Sequence, residues 1–304
     1  MFMEDRDRFP AVSARHFNDS VEGAKKCLIC SSHLAPAKRY PGLLQCPDCN
    51  FLTADLALTD EQLRQLYGAD YFHGDEYANY LADEEELRLN FRRRLDTLLP
   101  LLQGGPRGYL HEVGCAYGFF LSEAARHFTR VSGIDIAEDA TAYARDSLGL
   151  EVTTGDYLCQ QFYSPVDVIC MWDTLEHLRD SHLYIRKAAS DLRRGGLFAF
   201  TTGDVESLNA RLRGPRWRMV HPPTHLHYFG ERSIARLLYD SGFDLVLVQH
   251  PGNVRTLRAI LYGVVAMRAR RKGLCVRLER VIPGLSWPVY LNLWDIMFVI
   301  ARRR

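Results

Sequence analysis

From about residue 106 the chain alternates short apolar runs with amphipathic stretches of 10 to 15 residues. GYLHEVG, VSGIDI, LEVTTGD, PVDVICMWDTLEH and LFAFTTGD read as strands. FFLSEAARHF, AEDATAYARDSLG and HLYIRKAASDLRRGG lie among them and read as helices. Strands joined by whole helices must cross over instead of turning back as hairpins, so they pair in parallel with helices on both faces. A helix over about 231–241 leads into FDLVLVQH, and LWDIMFVIARR makes a last strand after a long segment with a basic helix over roughly 255–280. The expected fold class is α/β, a doubly wound and mostly parallel sheet.

Upstream the pattern changes. Residues 1–22 hold no sustained period and are expected to be a loose arm. Residues 23–55 carry paired cysteines, and 56–104 read as a helical connector or lid. Within that connector TDEQLRQLYG (59–68) is a short helix, capped by Thr59 or Asp60 and ended by Gly68. A tyrosine-rich stretch follows (Tyr67, Tyr71, Phe72, Tyr77, Tyr80), suited either to a lid over a site or to packing. Residues 84–102 form a clearer amphipathic helix, with Leu87, Phe91, Leu95, Leu98 and Leu99 apolar and Arg92–Arg94 partly turned to water. Residues 105–304 make the main domain, with a helical insertion at about 255–290.

The turn after the first strand of that domain is His111-Glu112-Val113-Gly114-Cys115-Ala116-Tyr117-Gly118. Glycines there let backbone amides approach a ligand. Their spacing is neither G-x-G-x-x-G nor a P-loop, so a pyrophosphate is not the expected guest. Asp135 ends the second strand 21 residues beyond Gly114, where its carboxylate can accept both hydroxyls of a ribose. Asp156 follows the third strand in Gly155-Asp156-Tyr157, placed to meet an adenine edge. Polar groups at the carboxyl ends of consecutive strands face the crevice where open α/β sheets bind ligands. A nucleoside without pyrophosphate fits that set better than a nicotinamide dinucleotide.

On these residues, the segment from about 84 to 250 resembles the class I S-adenosylmethionine-dependent methyltransferases, in the branch typified by the ubiquinone-biosynthesis O-methyltransferases. Glu112-x-Gly114-x-x-x-Gly118 matches the first motif, Gly133-x-Asp135 the ribose-binding acid, and Gly155-Asp156 the adenine side. Trp172-Asp173-x-x-Glu176-His177-Leu178 matches the motif after the fourth strand, and Leu192–Gly196 the turn before the fifth. Gly242-Phe243 and Asp295-Ile296-Met297 are also in keeping with it. The resemblance implies a seven-stranded Rossmann-like sheet whose last strand is antiparallel, and S-adenosyl-L-methionine as cofactor. It further implies a cofactor wall of Glu112, Gly114, Cys115, Gly118, Asp135 and Ile136, continued by Asp156, Tyr157, Trp172 and Asp173.

Eight cysteines are too few for a disulfide scaffold. Four of them, Cys27, Cys30, Cys46 and Cys49, are spaced C-x2-C-x15-C-x2-C, two knuckles that can close a tetrahedron around zinc. Four protein ligands leave no open position, so the role expected is structural, although iron takes similar ligands. Lys25, Lys26, Lys38 and Arg39 would offset the thiolate charge. The resemblance agrees, because such a module precedes the methyltransferase domain in some enzymes of sugar and natural-product biosynthesis. Cys115, Cys159, Cys170 and Cys275 read as core cysteines.

Methyl transfer needs an acceptor held in line and, for a hydroxyl, a base. His177, beside Glu176, is the first candidate base, with His225 and His227 next. His221, His225 and His227 are spaced H-x3-H-x-H, a set that could bind a metal if a carboxylate completed it. Arg211, Arg213, Arg216 and Arg218 around Trp217 suit an acidic acceptor or simply a solvated face. Lys+Arg is 38 against Asp+Glu 37, which argues against a nucleic-acid binder of the bulk-electrostatic kind. The opening MFMEDRDRFP lacks a signal-like basic start and apolar run, no 18-residue apolar span occurs, and a cytoplasmic protein is expected, as monomer or homodimer. The apolar and basic stretch from Leu257 to Arg271 allows a peripheral membrane contact. The expected reaction is O-methylation of a sugar, polysaccharide, glycolipid or secondary metabolite. The alternatives are C- or N-methylation of such a molecule, methylation of a protein or RNA gripped by the zinc module, and a non-catalytic binding protein.

Overall fold

The structure is a computed structural model that describes residues 25–56, 62, 80–81, 83–102, 107–257 and 287–304. In chain order, β1 (Ala35–Pro36), β2 (Leu43–Gln45) and β3 (Leu52–Ala54) come first, then helix α1 (Glu84–Leu98). The main domain runs β4 (Tyr109–Val113), α2 (Phe119–Ala124), β5 (Arg130–Asp135), α3 (Glu138–Asp146), β6 (Glu151–Thr154), β7 (Val166–Trp172), α4 (Ser181–Asp191) and β8 (Leu192–Gly203). It continues with α5 (Leu208–Arg213), β9 (His227–Tyr228), α6 (Glu231–Asp240), β10 (Phe243–Gln249), β11 (Asn253–Thr256), β12 (Pro288–Leu291) and β13 (Ile296–Arg303).

Seven strands pair in the order β10-β13-β8-β7-β4-β5-β6. β4, β5, β6, β7 and β8 are parallel, and β13 runs antiparallel to both its neighbours, as the resemblance implied. The central strands are buried on both faces, which is why their sequences are mostly apolar, with His111 and Glu112 in β4 and Asp167 in β7 as polar exceptions. Alternate residues nonetheless serve different cores. Ile169, Met171, Phe198 and Phe200 pack on one side, while Val168, Cys170, Leu197 and Ala199 pack on the other. β8 begins earlier than the sequence suggests: Leu192 is fully buried and pairs with Val166, so LRRGG joins the strand instead of ending the helix.

The cysteine segment does not stand apart. β1, β2 and β3 form an antiparallel sheet completed by β9, which belongs to the loop after β8. Thr53 pairs with His227 and Leu52 with Tyr228, and a small core of Leu43, Leu52, Trp217, Met219 and Tyr228 fills the join. Trp217 Nε1 donates to Asp295 Oδ2 at 2.9 Å, and Arg218 pairs with the same carboxylate at 3.1 Å. Within the arginine cluster, then, Trp217 and Arg218 are tied to the core acid Asp295.

The expected helical insertion is flanked by strands. β11 and β12 pair antiparallel from Asn253↔Leu291 to Thr256↔Pro288. Asn90 of α1 holds this ribbon, accepting from Val254 N at 2.7 Å and donating to Val254 O at 3.0 Å. Outside the described residues lie the arm 1–22, nearly all of the helix expected at 59–68, Tyr67, Tyr71, Phe72, Tyr77, Cys275 and residues 258–286. Cys159, expected in the core, is exposed, whereas Cys115 and Cys170 are buried. No helix among the described residues is long and apolar enough to cross a membrane.

Candidate active site

The glycine turn sits at the carboxyl end of β4. Gly114 has φ +75°, and a Cβ there would lie 2.5 Å from Thr174 Oγ1, so only glycine fits without displacing the chain after β7. Gly118, at φ +76°, opens α2 and would strike Leu150. Asp135 fastens the turn to the next strand: its Oδ2 accepts from Ala116 N at 2.8 Å and its Oδ1 from Ala137 N at 2.9 Å. Each oxygen keeps a lone pair for a ligand. Burial pushes the Asp135 carboxyl up, and the two amides oppose that shift. Beside it, Ile136 is 49% exposed, as a residue meeting a flat ligand face would be. Asp156 is exposed, its Oδ1 accepting from Leu158 N and the Tyr184 hydroxyl.

Two members of the expected wall turn elsewhere. The Tyr157 ring is 1% exposed and stacks near His111, and its hydroxyl donates to Asp191 at 2.7 Å. Its side chain is therefore core, because Tyr157 opens a 3-10 turn that Asp156 caps through Leu158 N, and the turn packs the ring inward while Asp156 stays exposed. The Cys115 side chain is buried against Gly133, so Cys115 has only backbone to offer the crevice.

A cleft opens between α1, the ends of β4 and β7, and the β11–β12 ribbon. Glu112, Gly114, Trp172 and Asp173 form one wall, as expected from sequence. The other walls carry residues that sequence reading passed over: Glu86 and Arg94 of α1, and Asn253 and Arg255 of the ribbon. Arg94, expected partly in water, is 9% exposed, pairs with Asp173 at 3.2 Å and lies 4.9 Å from the Trp172 ring centroid. Glu86, Asn90 and Arg94 are spaced by four, so they share one helix face, and all three are buried. That polar stripe was the available signal.

Three buried atoms of this cleft, Glu86 Oε2, Glu112 Oε2 and Trp172 Nε1, have no hydrogen-bond partner among the described residues. Native proteins rarely leave such atoms unpaired unless water, an ion or a ligand completes them, because desolvation costs about 1–3 kcal/mol each. Burial pushes the Glu112 carboxyl well up, nearby Asp135 adds to that, and Arg94 opposes it.

The histidines part company. His227 is 5% exposed with both ring nitrogens engaged, Nδ1 with Thr53 Oγ1 at 3.1 Å and Nε2 with the Arg179 carbonyl at 2.9 Å. His225 is 2% exposed and its Nδ1 donates to the Met219 carbonyl. Desolvation pushes His227 down to about 4 and His225 lower still, so both are neutral in the folded chain, and neither is among the residues lining the cleft. His177 donates from Nδ1 to the Thr224 carbonyl, is pushed down to about 4 by desolvation, and is not among the residues lining the cleft. The H-x3-H-x-H set fails as a unit because β9 pairing turns His227 toward Thr53. Glu176, His177 and His225 instead bring ligand atoms within 4.8 Å of one another.

The four cysteines do converge. Sulfur separations are 3.3 Å for Cys30–Cys46, 3.6 Å for Cys27–Cys49 and 3.7 Å for Cys30–Cys49. Bonds of about 2.3 Å to a tetrahedral ion require edges of about 3.8 Å, and disulfide sulfurs would lie at about 2.05 Å. The geometry is that of a closed four-thiolate metal site. The Cys49 thiol donating to Cys27 holds the latter below the usual thiol range. Lys25, two residues before Cys27, pairs with Asp55 at 2.7 Å.

Residues 84–248 match the family described as Methyltransferase domain, and the chain belongs to that family. It is similar to ubiquinone biosynthesis O-methyltransferases from Maricaulis maris (29% identical, 39% of this chain and 50% of that protein) and Hydrogenovibrio crunogenus (32% identical, 30% and 41%). The chain thus spans about half the length of the curated relatives it matches or less. Among solved structures, a methyltransferase-titled protein of Bacillus halodurans aligns at TM-score 0.51 with 13% identity, over 69% of this chain and 98% of that one. The magnesium protoporphyrin IX methyltransferase of Synechocystis PCC 6803, solved with bound SAH, aligns at 0.50 with 15% identity, over 81% and 100%. These likenesses establish the shared fold.

Proposed function

We propose that the protein is an S-adenosyl-L-methionine-dependent methyltransferase that O-methylates a small molecule or glycan, and that its four cysteines hold a structural zinc ion. The observation that carries the first part is the cleft at Gly114. Unpartnered buried atoms line it, and Asp135 stands at the end of the adjacent strand. The family match and the names of the curated relatives support the reaction class. The cofactor would supply a methyl group activated on a sulfonium. Asp135 would take the ribose hydroxyls, Asp156 and Ile136 the adenine, and Glu112 with Arg94 the oppositely charged ends of the amino-acid part. The walls from α1 and the ribbon would keep water from the acceptor.

The zinc reading rests on the sulfur geometry. A closed set of four thiolates stabilises the fold and leaves no coordination position for catalysis. A cytoplasmic enzyme is consistent with reduced cysteines, and a small-molecule or glycan acceptor with the near-zero net charge. Native mass spectrometry of the purified protein tests both parts. One zinc per chain and one S-adenosylmethionine or its demethylated product are expected. Absence of cofactor binding after addition in excess would reject the enzyme reading.

A further inference from the structure

Glu86 and Glu112 are both buried carboxylates with an unpartnered oxygen in the same cleft, yet they stand on different walls. Glu112 lies one residue before the end of β4, beside the glycine turn where the proposed cofactor would lie. Glu86 projects from α1, the helix that Asn90 ties to the ribbon. It is 5% exposed, and no cation is paired with it among the described residues. Asp173 is held by Arg94, and His177, His225 and His227 bond backbone carbonyls away from the cleft. The ribbon contributes Arg255 to the same cleft, a guanidinium without an ion pair among the described residues. A buried carboxylate and an unpaired cation lining one cleft suit a guest with a hydrogen-bond donor at one end and an anion at the other.

We propose that Glu86 and Arg255 form the acceptor subsite, which takes a sugar hydroxyl whose ring also carries a carboxylate or phosphate, with Glu86 as the general base. This inference rests on the methyltransferase reading. Arg255 receives the anionic group and thereby aims a hydroxyl at Glu86. The hydroxyl oxygen bonds to the methyl carbon as the carbon–sulfur bond breaks. The bonding pair stays on sulfur, which loses its positive charge, and the hydroxyl proton passes to Glu86 Oε2. Charge balances, since one cation and one carboxylate become a neutral thioether and a carboxylic acid.

The test uses the full chain in its metal-loaded form. Calorimetric titration with S-adenosylhomocysteine comes first, on the wild type, Glu86→Gln and Arg255→Gln, and equal binding by all three is expected. Methyl transfer from labelled S-adenosylmethionine is then measured to D-glucuronate, glucose 6-phosphate and neutral methyl α-D-glucoside. At least one anionic sugar should be methylated in preference to the neutral one, and the two anionic probes separate a carboxylate from a phosphate requirement. Arg255→Gln should raise KM for that sugar about tenfold or more with kcat little changed, and Arg255→Lys should recover part of the loss. Glu86→Gln should lower kcat by about 10²–10⁴-fold with KM little changed. Methylation of neither anionic sugar overturns the proposal, as does wild-type kcat in Glu86→Gln or unchanged KM in Arg255→Gln. Loss of S-adenosylhomocysteine binding in Glu86→Gln alone would make Glu86 a cofactor ligand and also overturn it. A wild type that binds no S-adenosylhomocysteine would bring down the methyltransferase reading itself.

Discussion

The four-cysteine cluster and the glycine-turn cleft both bury polar atoms, but they satisfy them differently. In the cluster the four sulfurs converge on one another, with separations of 3.3–3.7 Å, and a single metal ion would use all four. In the cleft, Glu86, Glu112 and Trp172 each keep an atom that no described residue completes. A closed set of ligands serves stability and an open one serves binding, so the same chain separates support from chemistry. The two regions are mechanically joined all the same. β3 of the cysteine module pairs with β9, and Leu226 N, next to β9, donates to the Glu176 carbonyl beyond β7.

The largest expected effect tests the closed region. Cys46→Ser, or exhaustive chelation, should remove much of the roughly 10–16 kcal/mol that a structural zinc site contributes to folding. Thermal unfolding read alongside zinc content checks this, and an unchanged Tm in metal-free protein would break the comparison. In the open region, Asp135→Ala should weaken S-adenosylhomocysteine binding about 100-fold, or roughly 2.7 kcal/mol, by calorimetry, with zinc content unaltered. Equal affinity would remove Asp135 from the ribose.

The junction between the regions carries its own signature in pH. His227 is neutral when folded, pushed down to about 4, while the unfolded imidazole titrates near 6.5. Between those values the unfolded chain binds the extra proton, so this share of stability is full above about pH 6.5 and declines as pH falls toward 4. The slope is up to about 1.4 kcal/mol per pH unit, or about 2 kcal/mol at pH 5. Urea unfolding of the wild type and His227→Gln at pH 7.5 and 5 measures it. A variant with the wild-type pH slope would show that His227 is not buried neutral. Gly114→Ala should cost about 1–2 kcal/mol, because φ is +75° and the new Cβ would meet Thr174. Urea midpoints report that loss. Lys25→Ala should change stability by less than about 1 kcal/mol, since its ion pair with Asp55 is half exposed.

Much of the frame was legible before the fold. Strands such as VDVICMW are apolar at all but one position because both of their faces are buried, and that pattern survives in one dimension. Gly114, Gly118 and Asp135 were legible because a turn and a strand end demand particular residues at short range. The H-x3-H-x-H spacing says nothing about which way β9 turns His227, and that strand takes it to Thr53. Tyr157 misled, standing next to an acid that faces outward. Glu86, Asn90 and Arg94 were passed over because a polar residue on an amphipathic helix reads as solvated unless something covers it, and the ribbon that covers them lies more than 150 residues away.

The sequence by itself determined the parallel sheet, the glycine turn, the acids at the strand ends and the pairing of cysteines into knuckles. Each follows from local periodicity, local backbone geometry or short spacing. Only the tertiary structure decided that the knuckles meet in one tetrahedral cluster, that β9 completes the module's sheet, and that α1 and the ribbon close the cleft around Glu86 and Arg94. Those outcomes depend on contacts between segments far apart in the chain, where burial and pairing are set by what packs against a residue and not by its neighbours in sequence.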